Sequence, residues 1–375
     1  MLEKEEKEMR AVYGEVMMQL AAADPRIVNL QADLTGAHGM KAFSAAYPDR
    51  SFNVGVAEAN MVGVAAGLSA CGKIPFVHSF GTFASRRCFD QITISVCYAG
   101  LNVKIVGSDP GVGAELNGGT HMALEDAGIL RTLPNMVIFE PADSTQLREA
   151  LPQIAAYDGP VYIRMFRKQA VKIYDDSYKF SWGKADLLQD GTDVTIMATG
   201  VCVAEAIKAA EMLKEQGISA RVLNVHTVKP LDVEAVVKAA RETGAIVTAE
   251  NHNIIGALGS AVAEALSENC PVPLERIGVR DHFGEVGKAP ELMEKFGITA
   301  PFIAEAAKKA ISRKGGAAPK AAAKKAAPAK TAAKKAEPAA KAAPAKKPAA
   351  KKAEPATKKA APAKKPAAKK AAAKK

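Results

Sequence analysis

The sequence predicts an α/β protein of two domains, the first a doubly wound parallel sheet and the second smaller, followed by a Lys/Ala/Pro tail. Three observations carry this. Short apolar runs alternate with stretches of helical length through the first half of the chain. A second alternation of the same kind begins at Asp193, after a looser stretch that holds the only tryptophan, Trp182. From Gly315 onward the chain is Lys, Ala and Pro apart from two Gly, two Thr and two Glu, with no large apolar residue from which to build a core.

Residues 3–23 read as an amphipathic helix stopped at Asp24-Pro25. Residues 27–31, 75–78, 103–107, 136–140 and 161–164 are apolar enough for buried strands. Between them, 57–71, 88–98 and 144–156 have helical length, and the Ala and Gly of 57–71 suit close packing against another backbone. In the second series VTIMATG (194–200) is a strand entering a Gly turn, and 203–216 is a helix ended by Gly217. The stretch ARVLNVHTVKPLD (220–232), the helix-length 233–242, GAIVTAEN and 259–268 continue the alternation. We place the first domain at 1–167, a linker at 168–190, the second domain at 191–313 and a disordered tail at 314–375.

The net charge of +11 misleads, because the tail carries 20 Lys and 2 Glu, or +18. The remainder, with 31 basic and 38 acidic residues, is at −7, so the globular part is mildly acidic. Cys71, Cys88, Cys97, Cys202 and Cys270 form no CxxC pair, which predicts reduced thiols in a cytoplasmic protein. The acidic start MLEKEEKEMR is neither signal nor transit peptide, and no apolar run approaches the roughly 18 residues of a membrane span.

Residues 53–69, NVGVAEANMVGVAAGLS, set one carboxylate, Glu58, in a run of small and apolar residues. A charge there needs a partner or is driven toward its protonated form. Two readings follow: a group that holds a proton on a cofactor ring, or a helix-start carboxylate stabilised by nearby N–H groups.

Four stretches fall in order along the first domain: ADLTG (32–36), GVAEAN (55–60), SFGTFASRRCFDQ (79–91) and GGTHMALED (118–126). With the second domain, they resemble the C-terminal half of the transketolase family over roughly residues 10–310, that is, its pyrimidine-binding and C-terminal domains. The resemblance implies a doubly wound pyrimidine-binding domain and thiamine diphosphate as cofactor. It makes Glu58 the acid that contacts N1′ of the aminopyrimidine, favouring the imine tautomer that removes the C2 proton. It places Phe83 against the aminopyrimidine face, with Phe80 and Phe89 as further pocket-lining rings; the alternative for each is ordinary core packing. Asp33 matches an acid near the cofactor and dimer interface, though Asp is also favoured in turns. His121 matches a histidine facing the substrate's oxygens, against a structural role. Arg167, which with Arg164 lies at the end of the last strand of the first domain, matches an arginine that binds a terminal phosphate, against a surface ion pair at the linker. His38, His78 and Arg86 are further residues that face the cleft in this reading.

One stretch departs from the family. The usual GVGEDG is GVGAELNGG here, with Asn117 in the place of an acid that contacts a substrate hydroxyl, and Asp109 is a candidate nearby carboxylate in its stead. No GDG motif, through which the family binds the diphosphate and Mg²⁺, occurs in the chain, nor any phosphate loop of the full GxxxxGK[ST] form. The resemblance therefore implies one subunit of a split transketolase, with no metal ligands of its own. An N-terminal subunit carrying GDG would supply them, most simply in an α₂β₂ assembly. The implied reaction moves a two-carbon ketol unit from a ketose, or ketose phosphate, to an aldose, or aldose phosphate. Alternatives are a deoxyxylulose-phosphate synthase-like or 2-oxo acid dehydrogenase beta-like subunit, or a nucleic-acid-binding protein acting through its tail. The tail's AAKKAAP units resemble linker-histone tails, and its lysines suit nucleic acid or another polyanion.

Overall fold

The computed structural model describes residues 2–314, so the expectation for the tail lies outside the described residues. Two sheets organise this part. The first joins seven strands in the order β10-β5-β6-β4-β3-β1-β2: Thr227–Lys229, Val137–Phe139, Val161–Met165, Lys104–Ser108, Ile74–Phe80, Ile27–Gln31 and Ser51–Asn53. Every neighbouring pair is parallel except β10 with β5. The second sheet has the order β12-β11-β8-β9-β7: Leu274–Val279, Ile246–Asn253, Val194–Ala198, Ala220–Asn224 and Asp186–Gln189. Only β7 runs antiparallel to its neighbour there.

The strand sequences explain why both sheets lie inside. Alternate residues of the first sheet feed two separate cores. Ile27, Phe76, Val106 and Ile163 enter one, while Val28, Val77, Ile105 and Tyr162 enter the other. The second sheet divides likewise, with Ile196 and Val247 on one face and Met197 and Ile246 on the other. Parallel strands apolar on both faces require helices on both sides. Helices such as Met9–Ala23, Glu58–Ala70, Ser144–Ala156, Cys202–Glu215 and Ala300–Ser312 cover them. The five cysteines are free thiols; Cys88, Cys97 and Cys202 are buried and Cys71 is exposed. Among the described residues no helix is long and apolar enough to cross a membrane.

Three elements differ from the sequence expectation. The first helix starts at Met9, not at residue 3. Residues 3–5 pair instead with the chain after β6, through Glu5 N–H to the Ala170 carbonyl and Lys172 N–H to the Glu3 carbonyl. The Glu5 carboxylate accepts from the Ser144 backbone N–H at 2.9 Å, at the start of the helix Ser144–Ala156. A carboxylate at a helix N-terminus outweighs the local helix preference of a short charged run. The single helix expected at 88–98 is broken into short turns over 86–91 followed by a wide π-type turn, Ile92–Tyr98. The stretch 168–190 ends in β7, an edge strand of the second sheet.

The two sheets are joined by a buried charge network. Arg164, on β6, is 1% exposed. Its Nε donates to Asp126 Oδ2 at 3.0 Å and its Nη1 to Glu140 Oε1 at 2.7 Å. Its Nη2 donates to the carbonyls of Ala123 at 3.0 Å and of Asn251, in β11, at 2.7 Å. Tyr162 donates to the same Asp126 at 2.7 Å. Nearby, the buried Glu250 accepts the N–H groups of Leu258 and Gly259, and burial pushes its pKa up to about 7.

Removing one partner of such a network leaves the others buried and uncompensated. Arg164→Ala is expected to destabilise the chain by about 3–5 kcal/mol in denaturant unfolding, with Arg164→Lys recovering little because an ammonium lacks the fork geometry. Glu250 has a folded pKa above its unfolded value, so its contribution to stability is present at low pH and is lost as pH rises toward about 7. Glu250→Gln is expected to remove that slope: between pH 5 and pH 8 the wild type falls relative to the variant by up to about 3 kcal/mol, read from paired denaturant melts.

Candidate active site

In a doubly wound sheet the chain leaves each strand at its carboxyl end, and sites form there. The residues singled out in the sequence follow this rule. Asp33 lies two residues beyond β1, Glu58 follows β2, and Phe80 ends β3 with Phe83 in the helix Gly81–Ser85 just after it. Asp109 and His121 follow β4, and Arg167 follows β6.

Glu58 is the first residue of its helix and is 1% exposed. The turn before it is held by Asn53, whose Oδ1 accepts the N–H groups of Asp33 and Gly55, with Gly55 at φ 72° where a side chain would be strained. Ser79, on β3, donates its hydroxyl to Glu58 Oε1 at 2.8 Å. Arg87 donates through Nη1 to Glu58 Oε2, also at 2.8 Å. The buried acid is therefore satisfied on both oxygens, once by a neutral donor and once by a charge.

Arg87 also lies over an aromatic face. Its guanidinium carbon is 3.9 Å from the centroid of the Phe83 ring, a cation–π stack one helical turn apart in sequence. Phe83 meets the rings of Phe80 at 6.1 Å and His121 at 5.0 Å between centroids, and Phe80 meets His121 at 5.2 Å, all edge-on. The His121 Nδ1 is 3.0 Å from the Thr120 hydroxyl. The guanidinium of Arg167, ion-paired to Asp109, sits over the Phe80 ring, 5.0 Å from its centre. Burial pushes the Asp109 carboxyl up, and Arg167 acts in the opposite direction. Asp109 Oδ1 and Arg167 Nε have no partner although both are buried.

The structure thus gathers Glu58, Phe83, Phe80, His121, Arg167 and Asp109 along one edge. Other candidates stand apart from this group. Phe89 packs on the core beneath the helices. Asp33 is exposed, at φ 62°, bonded to Asn53 in the turn that its residue type favours. Asn117 is exposed and donates to the Ala114 carbonyl at 2.9 Å. Arg86 pairs with Glu125 at 2.6 Å. His38 and His78 are wholly buried, and burial lowers them to about 4 and about 3, so both are neutral near pH 7. His78 Nδ1 donates to the Leu30 carbonyl at 3.0 Å, leaving Nε2 to accept from the Tyr13 hydroxyl at 2.7 Å.

Sequence reasoning passed over two contributors, Ser79 and Arg87. The signal for Arg87 was its place close after Phe83 in the SFGTFASRRCFDQ stretch. An open cavity of about 680 Å³ lies alongside, between Gly119, Met122 and Glu125 and the second domain's Asn253, His282 and Phe283. Glu58 and Phe83 do not line it.

Comparison with known proteins places this geometry in context. Residues 5–172 match the family model described as the transketolase pyrimidine binding domain, and residues 183–303 match the transketolase C-terminal domain. A 6-deoxy-6-sulfo-D-fructose transketolase subunit from a Clostridium species (strain MSTE9) is 61% identical over 310 residues, spanning 83% of this chain and 96% of that protein. One of the apulose-4-phosphate transketolase subunits, from Phocaeicola vulgatus, is 39% identical over 299 residues, spanning 80% and 96%. A solved structure described as a split gene transketolase, inactive beta4 tetramer, is similar with a TM-score of 0.77 and 45% identity, covering 82% of this chain and 99% of that one. The transketolase of Campylobacter jejuni shares the fold at a TM-score of 0.68 and 19% identity, with 80% of this chain matching 46% of that one.

Proposed function

This chain belongs to the transketolase family, and we propose that it is the half of a two-chain transketolase that holds the aminopyrimidine end of thiamine diphosphate. One observation carries the reading: a buried carboxylate oxygen and an aromatic face converge on one planar cation, the Arg87 guanidinium, which donates to Glu58 Oε2 and stacks on the Phe83 ring, and the space it fills is the slot we assign to the aminopyrimidine. The residues fit the group. The slot already accommodates a planar, charged, N–H-bearing guanidinium, and a protonated aminopyrimidine is also planar, charged and N–H-bearing.

When bound, thiamine diphosphate supplies the carbon nucleophile that breaks and re-forms the carbon–carbon bond of a ketose. The chain's own residues do the rest. Glu58 holds a proton on the ring nitrogen, in a setting dry enough to strengthen that hydrogen bond. Ser79 fixes the other carboxylate oxygen, so the acid presents one oxygen in one direction. Phe83, braced edge-on by Phe80 and His121, sets the plane of the ring. His121, at the rim and in contact with both rings, faces the substrate's oxygens. Arg167, oriented by Asp109, holds the donor's terminal anion.

Mg²⁺ and the diphosphate belong, in this reading, to a separate N-terminal subunit carrying a GDG motif. That this chain spans 46% of a full-length transketolase but 99% of a split-gene one supports the division. The relatives named for sulfofructose and apulose phosphate have donors that end in an acidic group. We accordingly propose a two-carbon ketol transfer from a ketose bearing a sulfonate or phosphate.

Glu58→Gln, assayed with its partner subunit, is expected to lower turnover by roughly two to four orders of magnitude. Its circular dichroism melt should stay cooperative, and near-normal turnover would rule out the role given to the acid. The purified chain alone is expected to show no thiamine-dependent ketol transfer from 6-deoxy-6-sulfo-D-fructose or fructose 6-phosphate. Activity should return on adding the GDG-bearing subunit, and turnover by the lone chain would refute the two-chain reading.

A further inference from the structure

We propose that Arg87 is a built-in plug: in the lone chain its guanidinium occupies the aminopyrimidine slot, and it must swing out before the cofactor ring can enter. The inference rests on the function proposed above and goes beyond it by assigning a task to a residue that the reaction itself does not use.

Several features of the site converge on this. The guanidinium takes both recognition elements of the slot at once, donating to Glu58 Oε2 at 2.8 Å and stacking on Phe83 at 3.9 Å from the ring centre. A cofactor ring placed on the same oxygen and the same face would overlap it, so the two occupants exclude each other. The arginine is the right shape to do this, being planar and positively charged with N–H donors along its edge. Its partner acid is 1% exposed while Arg87 is 42% exposed, so the plug sits at the mouth of the slot with an open way to solvent.

The backbone under Arg87 is built for such a movement. The residue lies in a three-residue tight turn, Arg86–Cys88, between the helix Gly81–Ser85 and the wide turn Ile92–Tyr98. Ser85, immediately before that turn, is at φ −117° and ψ −84°, and Cys88 is at φ −118° and ψ 22°, both off the helical values. Breaks of this kind in a helix mark places where the chain changes course at low cost.

The physical reason for a plug is plain. A chain that carries half of a cofactor site has a buried carboxylate facing an open slot whenever the other half is missing. An uncompensated buried charge is strongly destabilising, and Arg87 supplies the compensation until the cofactor ring replaces it. While the ion pair stands, Glu58 is committed to a permanent cation and cannot share a proton with a ring nitrogen.

The test uses the full chain without its partner and 4-amino-2,5-dimethylpyrimidine as the probe, titrated by calorimetry. The wild type is expected to bind the probe weakly. Arg87→Ala is expected to bind it at least about tenfold tighter, and the probe should raise the variant's melting temperature more than the wild type's. Arg87→Lys guards against a folding failure of the alanine variant. It leaves a cation for Glu58 but uncovers the ring face, and it too should bind more tightly than wild type. Equal affinity for wild type and both variants would show that Arg87 does not block the slot. Weaker binding by the variants would make Arg87 a ligand of the ring. In either of those cases Glu58→Gln would still lower probe affinity, so the plug fails and the pyrimidine reading stands. No binding by any form, with thiamine diphosphate affinity of the two-subunit complex unchanged by Glu58→Gln, would overturn both.

Discussion

A charge is kept inside this protein only where an opposite charge or a set of dipoles meets it, and that constraint shapes the molecule at two scales. At the larger scale Arg164 stands between Asp126 and Glu140 and donates to the carbonyls of Ala123 and Asn251. Those partners come from both sheets. The guanidinium can satisfy its donors only when β6 of the first sheet and β11 of the second are in their native relation. Such a network is a weak source of net stability but a strong penalty on any other arrangement. It makes the docking of the two sheets specific, and β10 reinforces it by crossing from the second βα series to the edge of the first sheet.

At the smaller scale the same constraint governs Glu58. Its surroundings are apolar on the helix side, so its oxygens must find donors across the gap, and they find Ser79 on β3 and Arg87 beyond it. The strand order then decides what else is close. Because β1, β2, β3, β4 and β6 all run in one direction, their carboxyl ends deliver the acid, Phe80 and Phe83, His121 and Arg167 to one rim. The rim is one-sided: an acid and a ring face are present, with a resident cation spanning them. That arrangement accords with a chain whose site is completed from outside.

Much of this was legible in the residues themselves. The period of the apolar runs gave the central strands of both sheets, since a parallel sheet buried on both faces leaves a continuous apolar signature; the short or edge strands β2, β7 and β12 left no such run. Glu58 drew notice because an acid among alanines, glycines and valines is costly wherever the chain folds. Phe83, Phe80 and His121 could be grouped only through the family motif, because nothing in their spacing predicts three rings meeting edge-on. Phe89, a further pocket-lining ring in the sequence reading, packs partly buried against the apolar core of the first sheet.

What the sequence by itself determined was composition, element type and the existence of an awkward carboxylate, all set by local period and local hydrophobicity. Only the tertiary structure decided which partners meet across sequence distance. It set Arg164 between acids 38 and 24 residues away, took the N-terminal residues out of a helix to pair beside β6, and drew the end of the interdomain stretch into the second sheet as β7. It also laid Arg87 across both Glu58 and Phe83. These are contacts whose energy depends on three-dimensional proximity and desolvation, and neither quantity is written in the order of the residues.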